Sequence, residues 1–149
     1  MTSWQEVTEQ APELAAAIRD RFAVRRHCTM ATLRADGSPR ISGTEVEFAD
    51  GQLWIGSMPR ARKALDLRRD SRMALHSPTV DPPDDDPGAW PGEAKVAGRA
   101  VEVANDDPAE TSHRFRIDIA EVVLTRVSGD ALLVESWHPG RGLEERVRR

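Results

Sequence analysis

Residues 27–77 read HCTMATLRADGSPRISGTEVEFADGQLWIGSMPRARKALDLRRDSRMALHS, and the change of period within this stretch decides the fold. HCTMATL and RISGTEVEF carry the alternation of strands, with the turn residues Asp36, Gly37, Ser38 and Pro39 between them. Asp50 and Gly51 then separate RISGTEVEF from a third strand-like run, QLWIGS. Three strands joined by tight turns predict an antiparallel meander. Met58 and Pro59 interrupt it, and in RARKALDLRRD (60–70) the residues Ala61, Ala64, Leu65 and Leu67 fall at helical spacing, with Ser57 placed to cap the helix. RMALHS resumes as a strand.

On the N-terminal side, Leu14, Ala15, Ile18 and Phe22 recur at helical spacing, and Pro12 stands near the start, where its missing N–H is harmless. An amphipathic helix over about residues 10–24 is expected to cover one end of the sheet. On the C-terminal side, PTVDPPDDDPGAWPG (78–92) offers almost nothing to a core and reads as a surface loop inserted between strands. Trp90 folding inward is a way for that loop to act as a lid. EAKVAGRAVEV (93–103) alternates as a long strand, Asp107 and Pro108 open a short helical segment to about Arg116, and IAEVVLTRV and ALLVESW finish as strands. The polar tail from His138 to Arg149 is expected on the outside or on a partner. No internal repeat interrupts this order. The expectation is a single domain over residues 1–149, mainly β with peripheral helices, built as a six- to seven-stranded antiparallel barrel.

At 149 residues and 39% hydrophobic content, the chain supports one domain with a real core. Its formal net charge of −4 provides no general positive field for nucleic acid or an anionic membrane, so any anion must be bound locally. A single cysteine, Cys28, excludes an intrachain disulfide framework and a cysteine-based zinc site. No apolar run matches a signal peptide or a membrane span, and a cytoplasmic protein is expected.

Familiar catalytic signatures are absent: there is no GxGxxG, no phosphate-loop GK[ST], no HExxH and no GxSxG. What stands out is a short basic helix carrying Arg60, Arg62, Lys63, Arg68 and Arg69. Guanidinium forks, an ammonium and free backbone N–H groups converging at a helix start are the means to grip a phosphate. The competing reading is a solvated basic face balanced by Asp66 and Asp70. Arg40, Ser42 and Thr44 share one face of their strand at period two, a polar strip suited to the edge of a planar ring, or simply the polar side of a half-exposed strand. His27, His76, His113 and His138 lie at no metal-ligand spacing, and no metal site is expected. Asp81, Asp84, Asp85 and Asp86 lack the glycine and closing glutamate of a calcium loop. Cys28, with no activating base beside it, reads as a buried inert thiol.

The DG-x-P strand, the Trp-Ile-Gly-Ser corner and the K-A-L-D-L-R-R-D helix together resemble the N-terminal half of pyridoxamine-5′-phosphate-oxidase-like proteins, including the flavin/deazaflavin oxidoreductases common in actinobacteria. The resemblance is close over residues 27–77 and extends to the remaining strands in layout. It implies a split β-barrel that pairs as a homodimer, with FMN or coenzyme F-420 in the groove between subunits. It further implies that Arg40 and Ser42 line the ring or tail and that Trp54, Gly56, Ser57 and Met58 contact the ring mainly through backbone. Arg62 and Lys63 would hold the phosphate, with Arg60 as helper. The chain departs from the name-giving oxidase at SWHPGRGLEERVRR (136–149), so vitamin B6 oxidation is not expected. The activity implied is hydride transfer between the bound ring and a small conjugated substrate, with no dedicated acid or base among the residues. The alternatives are a non-catalytic carrier of a flavin or tetrapyrrole, and a cofactor-free dimeric interaction module.

Overall fold

A computed structural model describes all of residues 1–149. Its first three strands follow the meander: β1 (His27–Leu33), β2 (Pro39–Ala49) and β3 (Gln52–Ser57), all antiparallel. Gly37, Asp50 and Gly51 take positive φ at the two turns, which is why short turns close there. α3 (Arg62–Arg69) follows, then β4 (Arg72–His76), β5 (Glu93–Glu102), β6 (His113–Ser128), β7 (Ala131–His138) and β8 (Gly142–Arg148).

Six strands close on themselves in the order β3-β2-β1-β4-β5-β6, and β6 pairs back onto β3. Closure removes the bare edges that an open sheet would leave. β6 is 16 residues long and serves two partners on the side away from β5: Phe115 and its neighbours pair with β3, while Val122–Ser128 pair with β7. β7 and β8 thus form a hairpin that extends the sheet beyond the barrel. The sharp bend this demands is placed at a bulge between Ala97 and Gly98. Only glycine fits there, because a Cβ on residue 98 would lie 2.1 Å from the Asp118 carbonyl oxygen.

Alternation fills the interior: Phe115, Ile117 and Ile119 of β6 meet Ala94, Val96 and Ala100 of β5, Met30 of β1, and Leu53 and Ile55 of β3. Each such large side chain contributes about 1.5–3 kcal/mol on burial. One end is sealed by α1 (Trp4–Gln10) and α2 (Pro12–Ala23). Leu14, Ala15, Ile18 and Phe22 form the buried stripe of α2, as their spacing predicts. Trp4 and Phe22 pack on Phe48 at centroid distances of 4.7 and 6.1 Å.

Several local expectations need correction. The helix expected over residues 10–24 is α2, but a further short helix precedes it, starting at Trp4 and capped by the Ser3 hydroxyl, which accepts from the Glu6 N–H at 3.2 Å. Ser57 does not cap α3: its hydroxyl donates to the Met58 carbonyl, and no side chain caps that helix. Residues 108–116 are not helical. Asp107 and Pro108 form a turn stabilised by the Asp107 carboxylate and the Ala109 N–H, and β6 already begins at His113. The tail is itself a strand, β8. Residues 78–92 form a surface loop with one 3-10 turn, closed on itself by Trp90 Nε1 donating to the Val80 carbonyl at 2.8 Å. No helix is long and apolar enough to cross a membrane.

Candidate functional site

The β2–β3 ladder runs from Ala49↔Gln52 to Val46↔Ile55 and stops. Beyond it, Gly43, Thr44 and Glu45 pair only with β1, whereas Gly56 and Ser57 pair only with β6. The two strands therefore part, and each presents a row of backbone N–H and C=O groups to the gap. A groove of about 690 Å³ fills this split. Its walls are β2 from Gly43 to Glu47 and β3 from Trp54 to Ser57. Met58 and Pro59 form the corner, with Lys63, His113 and Arg114 at the ends and His27, Asn105 and Ser112 at the rim.

Lys63 stands in the first turn of α3, and its Nζ donates to the Gly43 carbonyl at 2.8 Å. Two of its three donors stay available. Partial burial pulls the ammonium below the ordinary lysine value, so an anion placed beside it would restore the charge balance that water no longer supplies. The uncapped start of α3 lies next to it. Nearby, burial pushes the Cys28 thiol up to about 11 despite the Lys63 charge. Thr44 is 3% exposed, and its hydroxyl has no partner within the chain.

At the other end, the Arg114 guanidinium lies over the Trp54 ring, 3.6 Å from its centroid. Trp54 Nε1 donates to the Ala49 carbonyl, which fixes the indole. Gly56 lies between Trp54 and the corner, and nothing approaches its Cβ position closer than 3.7 Å. The result is a flat, bare strip of backbone in the groove. Glu45 and Glu47 line the opposite wall, so the groove carries both signs of charge.

Of the residues singled out from sequence, Trp54, Gly56, Ser57, Met58 and Lys63 come together in this groove. Four others are placed elsewhere. Arg40 faces inward and is 18% exposed; its Nε donates to the Asp66 carboxylate at 2.7 Å. Asp66 also accepts from the Thr32 hydroxyl at 2.7 Å and from Arg69 at 3.0 Å. Desolvation raises the Asp66 carboxyl, but the hydrogen bonds from Arg40, Thr32 and Arg69 outweigh it and hold the group below the usual carboxylate range. Ser42 sits opposite Met30 in the β1–β2 ladder, Arg62 is exposed on α3, and Arg60 is exposed at the corner with φ of 59°. No residue of the 78–92 loop lines this groove; Pro91 lines a different one, against α2 and β6.

Sequence reasoning missed His113 and Arg114, which β6 brings to the groove by pairing with Ser57 and Gly56. Their signal was the alternation H-R-F-R-I-D-I, with His113, Phe115, Ile117 and Ile119 buried. No cluster of histidine, cysteine and carboxylate side chains is arranged to hold a metal.

A family model described as pyridoxamine 5′-phosphate oxidase matches residues 14–132. No curated protein sequence matches the chain. Among solved structures, a pyridoxamine 5′-phosphate oxidase-related, FMN binding protein from Nostoc punctiforme PCC 73102 superposes with a TM-score of 0.64 at 11% identity, over 93% of this chain and 96% of that one. An F420 reductase gives 0.51 at 12% identity, over 70% and 94%. A heme binding protein from Mycobacterium smegmatis gives 0.58 at 17% identity, over 89% of this chain but only 57% of that one. At these identities the likeness is one of fold.

Proposed function

Because the chain belongs to the pyridoxamine 5′-phosphate oxidase family, we propose that its groove holds a flavin-type cofactor, FMN or coenzyme F-420, and that the protein is an oxidoreductase acting on a small conjugated substrate. The observation that carries this reading is the split between β2 and β3, with Lys63 at its end. A tricyclic ring with a polar edge matches a gap lined by unpaired backbone groups, and Gly56 leaves its backbone bare to a ring face. Lys63 and the uncapped start of α3 suit a phosphate. The residues present therefore fit the group.

When bound, the cofactor supplies hydride transfer. The chain's own part is placement and electrostatics. Lys63 fixes the phosphate end, those backbone N–H groups of Gly56–Met58 that do not pair with β6 favour negative charge on the ring edge, and Trp54 under Arg114 bounds the opposite end. Met58, at the groove corner, is 79% exposed, and a second copy of the chain would cover it in a homodimer. The FMN binding protein and the F420 reductase of the same fold support a flavin-type ligand, and the heme binding protein supports a second reading, a carrier that binds a ring without turnover.

The test is titration of cofactor-free protein with FMN and with coenzyme F-420, read by ring absorbance and calorimetry, in wild type and Lys63→Ala. Stoichiometric binding weakened at least about tenfold in the variant, the loss of one charge-assisted contact of about 1.5–3 kcal/mol, establishes the site and chooses the cofactor. Binding of heme in their place establishes the carrier, and binding of none refutes both.

A further inference from the structure

His113 lies under the corner where β3 turns towards α3 and is 7% exposed. Its two ring nitrogens are committed in different directions. Nε2 faces the backbone N–H of Arg60 at 3.1 Å. An amide only donates, so Nε2 carries the lone pair and the ring proton belongs on Nδ1. Nδ1 faces Glu102 Oε2 at 3.6 Å, and Glu102 is gripped from behind by Arg68 through Nε and Nη2 at 2.6 and 2.8 Å. Arg60 keeps a φ of 59°, a conformation that a non-glycine residue holds only when its surroundings fix it. Ser57, Met58 and Pro59 of the same corner line the groove.

We propose that His113 is the positioning residue of the groove's anion-binding corner, acting through the Arg60 amide as the neutral Nδ1–H tautomer, so that protonation of this one imidazole unlatches the corner and loosens the anion beside it. The inference rests on the groove being the cofactor site. A proton on Nε2 removes the acceptor and sets two donors against each other. The charged groups around the ring are Glu102 from β5, Arg68 from α3, Arg60 at the corner and Arg114 beside it on β6. Phe115 stacks at 6.3 Å and adds no charge. The hydrogen bond from Arg68 holds the Glu102 carboxyl below its ordinary value. Glu102 therefore stays ionised across the pH values compared, and a proton added to the ring is the change that reaches the Arg60 amide.

The test compares FMN binding by wild type and His113→Gln at about pH 8 and about pH 5.5, on either side of the ordinary imidazole range, and follows the Arg60 amide resonance of ligand-free protein by NMR. Glutamine keeps an acceptor oxygen and takes no proton. The quantity read is the ratio of affinities at the two pH values within each protein, whatever the variant's affinity at the higher pH. At the lower pH, wild type should lose about five- to tenfold more affinity than the variant, the worth of one lost hydrogen bond. Protonation of the FMN phosphate, near pH 6, weakens both equally. The Arg60 resonance should move with the His113 ring at one common midpoint in wild type and stay still in the variant. Parallel binding profiles, or an Arg60 amide that does not respond while the ring titrates, overturn the latch. Failure of wild type to bind FMN or coenzyme F-420 at either pH overturns the cofactor site, and the Arg60 resonance still decides the latch. Should the variant not fold, separate midpoints for the ring and the amide in wild type overturn it.

Discussion

Asp66→Asn removes one buried charge and little else, and its effect follows from the contacts around that carboxylate. The Asp66 side chain is 4% exposed and accepts three hydrogen bonds, two of them from guanidinium groups. Arg69 is 41% exposed, so its share is largely screened. Arg40 is 18% exposed and has no other anion to turn to, so it carries most of the loss. Asparagine keeps the volume and one acceptor oxygen, which places the cost at about 3 kcal/mol, the lower end for breaking a buried pair. For a chain of this size that is a fall in Tm of about 9 °C, measurable by tryptophan fluorescence on heating and by urea unfolding. The dependence on pH has a definite sign. The native Asp66 carboxyl lies below its unfolded value, so its stabilisation is fully present above that unfolded value, about 3.9, and is lost as pH falls through the native one. The gap between wild type and variant should be constant down to about pH 5 and close at lower pH. A Tm shift under about 2 °C at neutral pH, or a gap that persists unchanged into acid, refutes the account.

Two further outcomes follow from the interior. Cys28 is 6% exposed and its thiol is pushed up to about 11, so labelling of native protein by a disulfide reagent at about pH 8 should be at least about a hundredfold slower than in the unfolded chain; stoichiometric labelling of the native protein within minutes would falsify the burial. Gly98→Ala drives a Cβ into the Asp118 carbonyl at 2.1 Å and should cost about 2–3 kcal/mol in urea unfolding, whereas Gly43→Ala, with nothing within 4 Å of its Cβ, should not; equal effects would count against the bulge.

Where sequence-local chemistry governs, the chain was legible. β1 and β3 run over His27–Leu33 and Gln52–Ser57, the spans of their alternating runs, because turn residues bound them on the sides that matter. α1 was overlooked: seven residues carry only Trp4 and Val7 to the core, too few for a visible period, although Ser3 and Glu6 stand at the spacing of a capping box. The first half of β6 is hidden in the sequence because Asp107 and Pro108 imitate a helix start just ahead of its alternation. The same boundary explains the site. Trp54, Gly56, Ser57, Met58 and Lys63 are neighbours along the chain, whereas His113 and Arg114 reach the groove only through a strand pairing about 60 residues long in sequence. Arg40 illustrates a different limit. Its charge suits a ligand or Asp66 equally well in the sequence, and only the inward face of β2 and the placement of α3 bring the two together.

The pairing of β3 with β6 has a consequence for how the chain comes off the ribosome. Until residues 113–116 emerge, Trp54–Ser57 have no partner on that side, and the five earlier strands can form only an open sheet with β3 and β5 as bare edges. Synthesis at about 5–20 residues per second leaves the edge of β3 uncovered for about 1–3 s after β5 is complete. The nascent chain is thus most open to strand addition by a neighbour just before its own sixth strand arrives.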